Sequence, residues 1–149
     1  MRLARTPVGL VGAIKEAVIK HWYLGLQKQR DYHGLVEFKL GGCPWWADSN
    51  DAVESRYFIS SLIGMLRVNG WQVCGTMDLT RRNNDKTTFI LRQCPPKIQP
   101  HMCISLNKTN RIRLIVSSTD ISEDAELRLT SMLNETIKNY WVALGEISR

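Results

Sequence analysis

The chain has 149 residues, 44% of them hydrophobic and 23% charged, and its net charge at pH 7 is +6. These values are typical of a globular protein and exclude a low-complexity or disordered chain. At this length a single domain buries roughly 68–70% of the surface of its unfolded chain, and we expect one domain over residues 1–149. No segment approaches the ~20 apolar residues of a membrane-spanning helix, so we expect no membrane span.

The cysteines indicate the compartment. The four cysteines include no C-x-x-C pair and are Cys43, Cys74, Cys94 and Cys103. Two of them, Cys74 and Cys103, fall within predicted strands, where reduced cysteines act as small apolar side chains. We therefore expect an intracellular, cytoplasmic protein. A mitochondrial presequence is the alternative, because four bases accompany one acid in the first twenty residues.

The first quarter of the chain predicts a helix and a strand. Thr6 and Pro7 are suited to open a helix that ends near Gly25. The apolar face of this helix has the 3.6-residue period and consists of Leu10, Ile14, Ala17, Val18 and Trp22. Residues 30–34 predict a turn, and residues 35–40 alternate as a short strand of the sheet.

A loop and a second helix follow. Two adjacent aromatic residues, Trp45 and Trp46, lie in the Gly/Pro loop at 41–46. The second helix begins near Ser49 and ends before Gly70, which stands where a glycine stop is expected. Its inner face comprises Val53, Tyr57, Phe58, Leu62, Met65 and Leu66.

Residues 71–118 predict a four-stranded antiparallel meander. Four runs with the two-residue period of strands, at 71–79, 87–93, 102–107 and 111–118, are separated by turn-rich or proline-rich breaks. The side chains predicted to face inward are Trp71, Val73, Gly75, Met77, Leu79, Phe89, Leu91, Met102, Ile104, Leu106, Ile112, Leu114 and Val116. Arg111 and Arg113 are predicted to face outward. One face of this sheet would then be apolar and the other polar and basic.

A third helix is predicted from about Ser122, with acids in its first turn, where the helix dipole favours them. The order of elements is then α-β-α-β-β-β-β-α. This order predicts a two-layer α+β fold with an antiparallel sheet of about five strands and three helices. The same order of elements resembles the profilin-like arrangement.

Positive charge concentrates in the predicted sheet. Residues 71–118 carry eight lysines or arginines against two acids, whereas residues 119–149 carry three bases against six acids. The candidate partner-binding residues are Arg81, Arg82, Lys86, Arg92, Arg111 and Arg113, with Trp45 and Trp46 as an apolar anchor. We expect a non-enzymatic protein-interaction module whose basic sheet face docks an acidic segment of a partner.

Three alternatives stay open. The basic residues could be a plain solvated face that discourages aggregation, or they could contact the phosphates of a nucleic acid. The third alternative is a small-ligand carrier, with an apolar ligand beneath Trp71 and Trp141. No motif predicts a catalytic residue, a metal site or a cofactor: Cys94, His101 and Cys103 lack a second ligand pair at the spacing of zinc sites.

Overall fold

The computed structural model describes residues 1–46, 49–78, 87–99, 101–107, 111–116, 124, 127–136 and 138. In chain order these form β1 (Arg2–Leu3), α1 (Val8–His21), β2 (Leu26–Tyr32), β3 (Leu35–Leu40), a short 3-10 helix (Pro44–Trp46), α2 (Ser49–Val68), β4 (Trp71–Met77), β5 (Thr88–Gln93), β6 (Met102–Asn107) and β7 (Arg111–Val116). Residues 127–136 are helical as well. The α+β class predicted from the sequence is confirmed.

Helices α1 and α2 form most of the hydrophobic core; the predicted apolar face is confirmed for α1 and in part for α2, where Val53, Tyr57 and Met65 are only half-buried. All five residues predicted for the face of the first helix are buried. In α2 the buried residues include Phe58, Leu62 and Leu66. Helix α1 ends at His21, earlier than predicted, and Pro7 occupies the N-cap position predicted for Thr6. Gly70 has a φ of 77° and lies two residues beyond α2, at the predicted stop.

The N-terminal sheet contains two strands that the sequence pattern did not predict. Its order is β1-β3-β2, and both pairs are antiparallel. Strand β2 escaped prediction because its five central residues are all polar and exposed, so it has no apolar alternation. The predicted turn at residues 30–34 shortens to His33 and Gly34, whose positive φ values of 53° and 76° are those of a tight hairpin turn.

The strands of the described residues form three separate sheets in place of the single predicted sheet. The four predicted strands of the meander all exist, but they pair as β4-β5 and β6-β7. The predicted fifth strand, β3, pairs with β1 and β2 instead. Within the described residues no ladder joins β5 to β6, and the segment between them contains three prolines, which cannot donate to a ladder. The resemblance to the profilin-like arrangement stays a prediction.

The predicted inward face is wrong for the end of β4 and for the β6-β7 hairpin, whereas Trp71 packs against the core as predicted. Strand β4 changes register between Val73 and Gly75, so Met77 turns outward and is 47% exposed. In the β6-β7 ladder, Ser105 and Ile115 are buried, whereas Ile104 and Leu106 are exposed. The hairpin contacts α2, and the face that it buries carries Ser105 and Ile115. The predicted apolar face of β6 and β7 consequently points away from α2.

The core lies between residues 10 and 66, and the later strands pack around it. Trp71 of β4 and Leu91 of β5 contact the core cluster from one side, and Leu3 and Val36 of the N-terminal sheet also contact it. Helix α2 contacts α1, β4, β6 and β7, so it is the element that joins the two halves of the chain. Among the described residues, no helix is long and apolar enough to cross a membrane.

Candidate functional site

The side of the N-terminal sheet that faces away from the core carries mostly basic side chains. The cross-strand pairs Arg30↔Glu37 and Arg2↔Glu37 place these residues on one face, because directly paired residues share a face. Strand periodicity adds the neighbours two residues away, which are Lys28, Tyr32, Leu35 and Lys39. We call the polar members of this set the basic outer face: Arg2, Lys28, Arg30, Tyr32, Glu37 and Lys39. Its four bases are exposed, and Glu37 is its single acid.

Glu37 organises the centre of the basic outer face. Its carboxylate accepts hydrogen bonds from Arg2 Nε and Arg30 Nε, both 2.7 Å long. The Arg2 guanidinium also lies over the Tyr32 ring, 4.1 Å from its centroid. The hydrogen bonds from Arg2 and then from Arg30 lower the pKa of Glu37 below its ordinary value. Glu37 is thus an anion at neutral pH, and two arginines share its single charge.

The Glu37→Gln variant should be less stable than the wild type at neutral pH, and the difference should depend on pH. Because the folded-state pKa of Glu37 is lowered, the contribution of its charge is fully present above its ordinary pKa of 4.5. That contribution is lost as the pH falls through the lower, folded-state pKa. Melting temperatures of both proteins between pH 7 and pH 3 measure the effect. A stability difference that stays constant over this range would contradict it.

A half-open groove of about 940 Å³ lies between the N-terminal sheet and the β4-β5 hairpin. Arg2 and Leu3 of β1 line one side, and Phe89 and Leu91 of β5 line the other. The floor is one face of α2, formed by Ile59, Leu62 and Leu66. We call this cavity the β1–β5 groove. Its volume is near the upper end of the range for ligand-binding clefts.

One end of the β1–β5 groove combines an aromatic and a cationic side chain. Trp45 lines it and is 37% exposed, with its ring centroid 6.3 Å from that of Phe58. Arg56 also lines it and donates a hydrogen bond to the backbone oxygen of Ala52, one turn earlier in α2. The groove therefore offers an apolar floor, an aromatic ring and positive charge from Arg56 and Arg2.

The structure places only some of the predicted partner-binding residues. Arg92 and Arg113 are exposed, on β5 and β7 respectively. Arg111 begins β7. Arg81, Arg82 and Lys86 lie outside the described residues, so their gathering on one surface stays a prediction. Trp46 belongs to the short 3-10 helix, and Trp45 both contacts the core and lines the groove.

Sequence reasoning missed the basic outer face and did not predict the β1–β5 groove. The face depends on strands β1 and β2, neither of which has an apolar alternation, and the available signal was limited to the three bases Lys28, Arg30 and Lys39. The ligand site predicted beneath Trp71 and Trp141 stays a prediction, because Trp141 lies outside the described residues. It is distinct from the β1–β5 groove, which Trp71 does not line. In the described part of the chain, no group of three His, Cys, Asp or Glu residues could hold a metal ion.

Comparison with known proteins relates one part of the chain to a family. No curated protein and no solved structure matches the chain. A protein-family model that describes a domain matches residues 1–92. This segment contains the core cluster, the basic outer face and every residue that lines the β1–β5 groove. Because the match spans more than half of the 149 residues, the chain belongs to the domain family that this model describes.

Proposed function

We propose that the protein is a non-enzymatic protein-interaction module that uses a basic sheet face to dock an acidic segment of a partner. The observation that supports this function is the basic outer face, where four exposed bases surround one acid on the face of the sheet that points away from the core. Such a surface attracts anionic partners and speeds their association. The free thiols of all four cysteines suit a partner inside the cell.

Reversing two charges of the basic outer face should weaken this docking strongly. The Lys28→Glu/Lys39→Glu variant leaves the contacts of Glu37 with Arg2 and Arg30 intact, so we expect an unchanged melting temperature. Binding of a labelled glutamate-rich peptide should weaken by about tenfold or more, because like charges then meet across the interface. Fluorescence anisotropy at about 50 mM salt, where electrostatic binding is strong, measures the affinity.

The matched control is Lys15→Glu/Lys20→Glu, which changes the net charge equally at exposed positions of α1. Peptide binding that both variants weaken alike would show a nonspecific charge effect and would overturn the proposal. Mixed-sequence RNA is the competing probe, since tighter binding of RNA, with a steep dependence on salt, would favour a nucleic-acid partner.

A variant of the basic residues predicted from the sequence provides the second part of this test. The Arg81→Glu/Arg82→Glu variant should also weaken binding of the peptide if the acidic segment extends across both basic regions. Loss of binding in this variant alone, with Lys28→Glu/Lys39→Glu unaffected, would move the docking surface from the N-terminal sheet to the β4-β5 hairpin.

A further inference from the structure

Two strand edges line opposite sides of the β1–β5 groove. Strand β1 is an edge of the N-terminal sheet, and β5 pairs with β4 on its other side. No ladder in the described ranges joins β1 to β5. Strand edges carry unpaired N–H and C=O groups, to which an extended peptide can add as a further strand. The backbone groups that point into the groove therefore determine what it can bind.

Arg2 directs its backbone groups into the groove. The N-terminal amino group of Met1 donates to the Phe38 oxygen, and the Phe38 N–H donates to the Met1 oxygen, both at 2.8 Å. Successive residues of an antiparallel strand point these groups alternately toward and away from the partner. Because Met1 faces β3, the N–H and C=O of Arg2 turn away from β3 and toward the groove.

Phe89 and Leu91 do the same from the opposite side. The Cys94 N–H donates to the Gly70 oxygen at 2.8 Å, so Cys94 faces the β4 side of the hairpin. The Ile90 oxygen, four residues earlier, also faces β4, where it accepts a bond from the Cys74 thiol. By the same alternation, the N–H and C=O groups of Phe89 and Leu91 point away from β4. Both residues line the groove.

The side chains around the groove specify what such a strand would carry. Side chains of a strand point alternately to its two faces. On the inner face they would meet the apolar floor formed by Leu62 and Leu66 of α2. On the outer face they would lie between Arg2 of β1 and Arg92 of β5, because Leu91 contacts the core and its neighbour Arg92 is exposed. Glu37 also lines the groove, but Arg2 and Arg30 already bind its carboxylate.

Resting on the function proposed above, we infer that the acidic partner segment binds as an extended strand between β1 and β5, with alternating apolar and acidic residues. Its apolar side chains contact α2, and its acidic side chains lie between Arg2 and Arg92. The bound strand joins the N-terminal sheet to the β4-β5 hairpin in one continuous sheet. A strand of about five or six residues, the commonest length, suits this site. The two strand edges that face the groove favour a peptide over a small ligand, because a small ligand would use only the apolar floor of α2.

The test uses a labelled peptide of about six residues that alternates valine and glutamate. Binding is measured by anisotropy, and exchange of individual backbone amides with solvent is measured by NMR. We expect the amides of Phe89 and Leu91 to slow by roughly 100-fold at a peptide concentration of about 100 times Kd. A peptide of the same composition with valines and glutamates in separate blocks should bind more weakly. So should a peptide N-methylated at alternate residues, which cannot donate along one edge.

Variants of Phe89 separate its backbone from its side chain. Phe89→Pro removes an N–H that points into the groove and leaves the β4 ladder intact, as proline permits on an edge strand. Phe89→Ala removes the ring but keeps the N–H. We expect the proline variant to bind the alternating peptide about tenfold more weakly than the alanine variant, the effect of one lost hydrogen bond. Gln29→Pro on the exposed strand β2 is the control, and it should leave binding unchanged.

The outcomes separate this inference from the proposed function. Peptide binding that depends on Lys28 and Lys39 but leaves the Phe89 and Leu91 amides unprotected would overturn the strand and keep the basic docking face. Protection of Gln29 and Asp31 instead would place the strand on β2 and would also overturn it. Protection that rises with protein concentration alone would assign the groove to a second copy of the chain. No binding of any acidic peptide would overturn both proposals. If Phe89→Pro fails to fold, the N-methylated peptide and the amide exchange still show whether the peptide binds as a strand.

Discussion

Replacing Phe58 with alanine is expected to destabilise the protein by about 3–5 kcal/mol, the usual cost of removing a buried phenylalanine ring. Phe58 is 0% exposed, in the middle of α2. Its ring centroid lies 5.7 Å from that of Trp22 and 6.3 Å from that of Trp45. The ring thus joins α1, the short 3-10 helix and α2, and its loss leaves a cavity that three rigid elements cannot close.

Denaturant unfolding of wild type and variant, followed by tryptophan fluorescence, measures this difference in unfolding free energy. The matched control is Phe89→Ala, because Phe89 is 36% exposed on the wall of the groove. That variant should lose only about 1–2 kcal/mol, since much of its ring already contacts water. Equal losses in the two variants would contradict the placement of Phe58 at the centre of the core.

The helices and their buried faces were predictable because each is a local property. A 3.6-residue period over fourteen to twenty residues identifies both the helix and the side that packs, as Leu10, Ile14 and Val18 show in α1. The strand hairpins β4-β5 and β6-β7 were predictable for a similar reason. In each hairpin, both signals lie within about twenty residues of the chain: the alternation of side chains and the turn-forming residues.

Strand faces were harder to predict than strand positions. The two-residue period shows which side chains share a face, but it does not show which face packs on the core. The β6-β7 hairpin packs with Ser105 and Ile115 inward, the reverse of the hydrophobic expectation. For β4 one signal was available, since Gly75 within a strand pattern is typical of a bulge, and the register changes there.

The site depends on pairings between distant parts of the chain, which no local pattern contains. Strand β1 has two residues and gains its place only by pairing with β3, more than thirty residues later. The β1–β5 groove brings Arg2 close to residues near position 90. Arg92 was a candidate from its charge alone. The structure adds a physical setting for it, on a strand whose outer edge pairs with no other described strand and which borders an apolar floor.

Replacing Gly41 with alanine should destabilise the protein by about 1–3 kcal/mol or more, because the added methyl group has no space. A Cβ at Gly41 would overlap the Leu24 backbone oxygen and would lie 2.7 Å from the Leu24 Cβ. Two hydrogen bonds hold this approach: the Gly41 N–H donates to the Gly25 oxygen at 3.0 Å, and the Trp22 Nε1–H donates to the Gly41 oxygen at 2.9 Å. Backbone movement that relieves the clash must stretch these bonds.

The Gly12→Ala variant is expected to change stability in the opposite direction. Gly12 lies at an exposed position of α1, and a Cβ there would meet nothing within 4 Å. Alanine should therefore stabilise the protein by about 0.5–1 kcal/mol, through its higher helix propensity. Thermal unfolding of both variants gives the sign of each change. A Gly41→Ala variant as stable as the wild type would contradict this prediction. It would show that the backbone at the end of β3 can move away from the turn after α1, although two hydrogen bonds connect them.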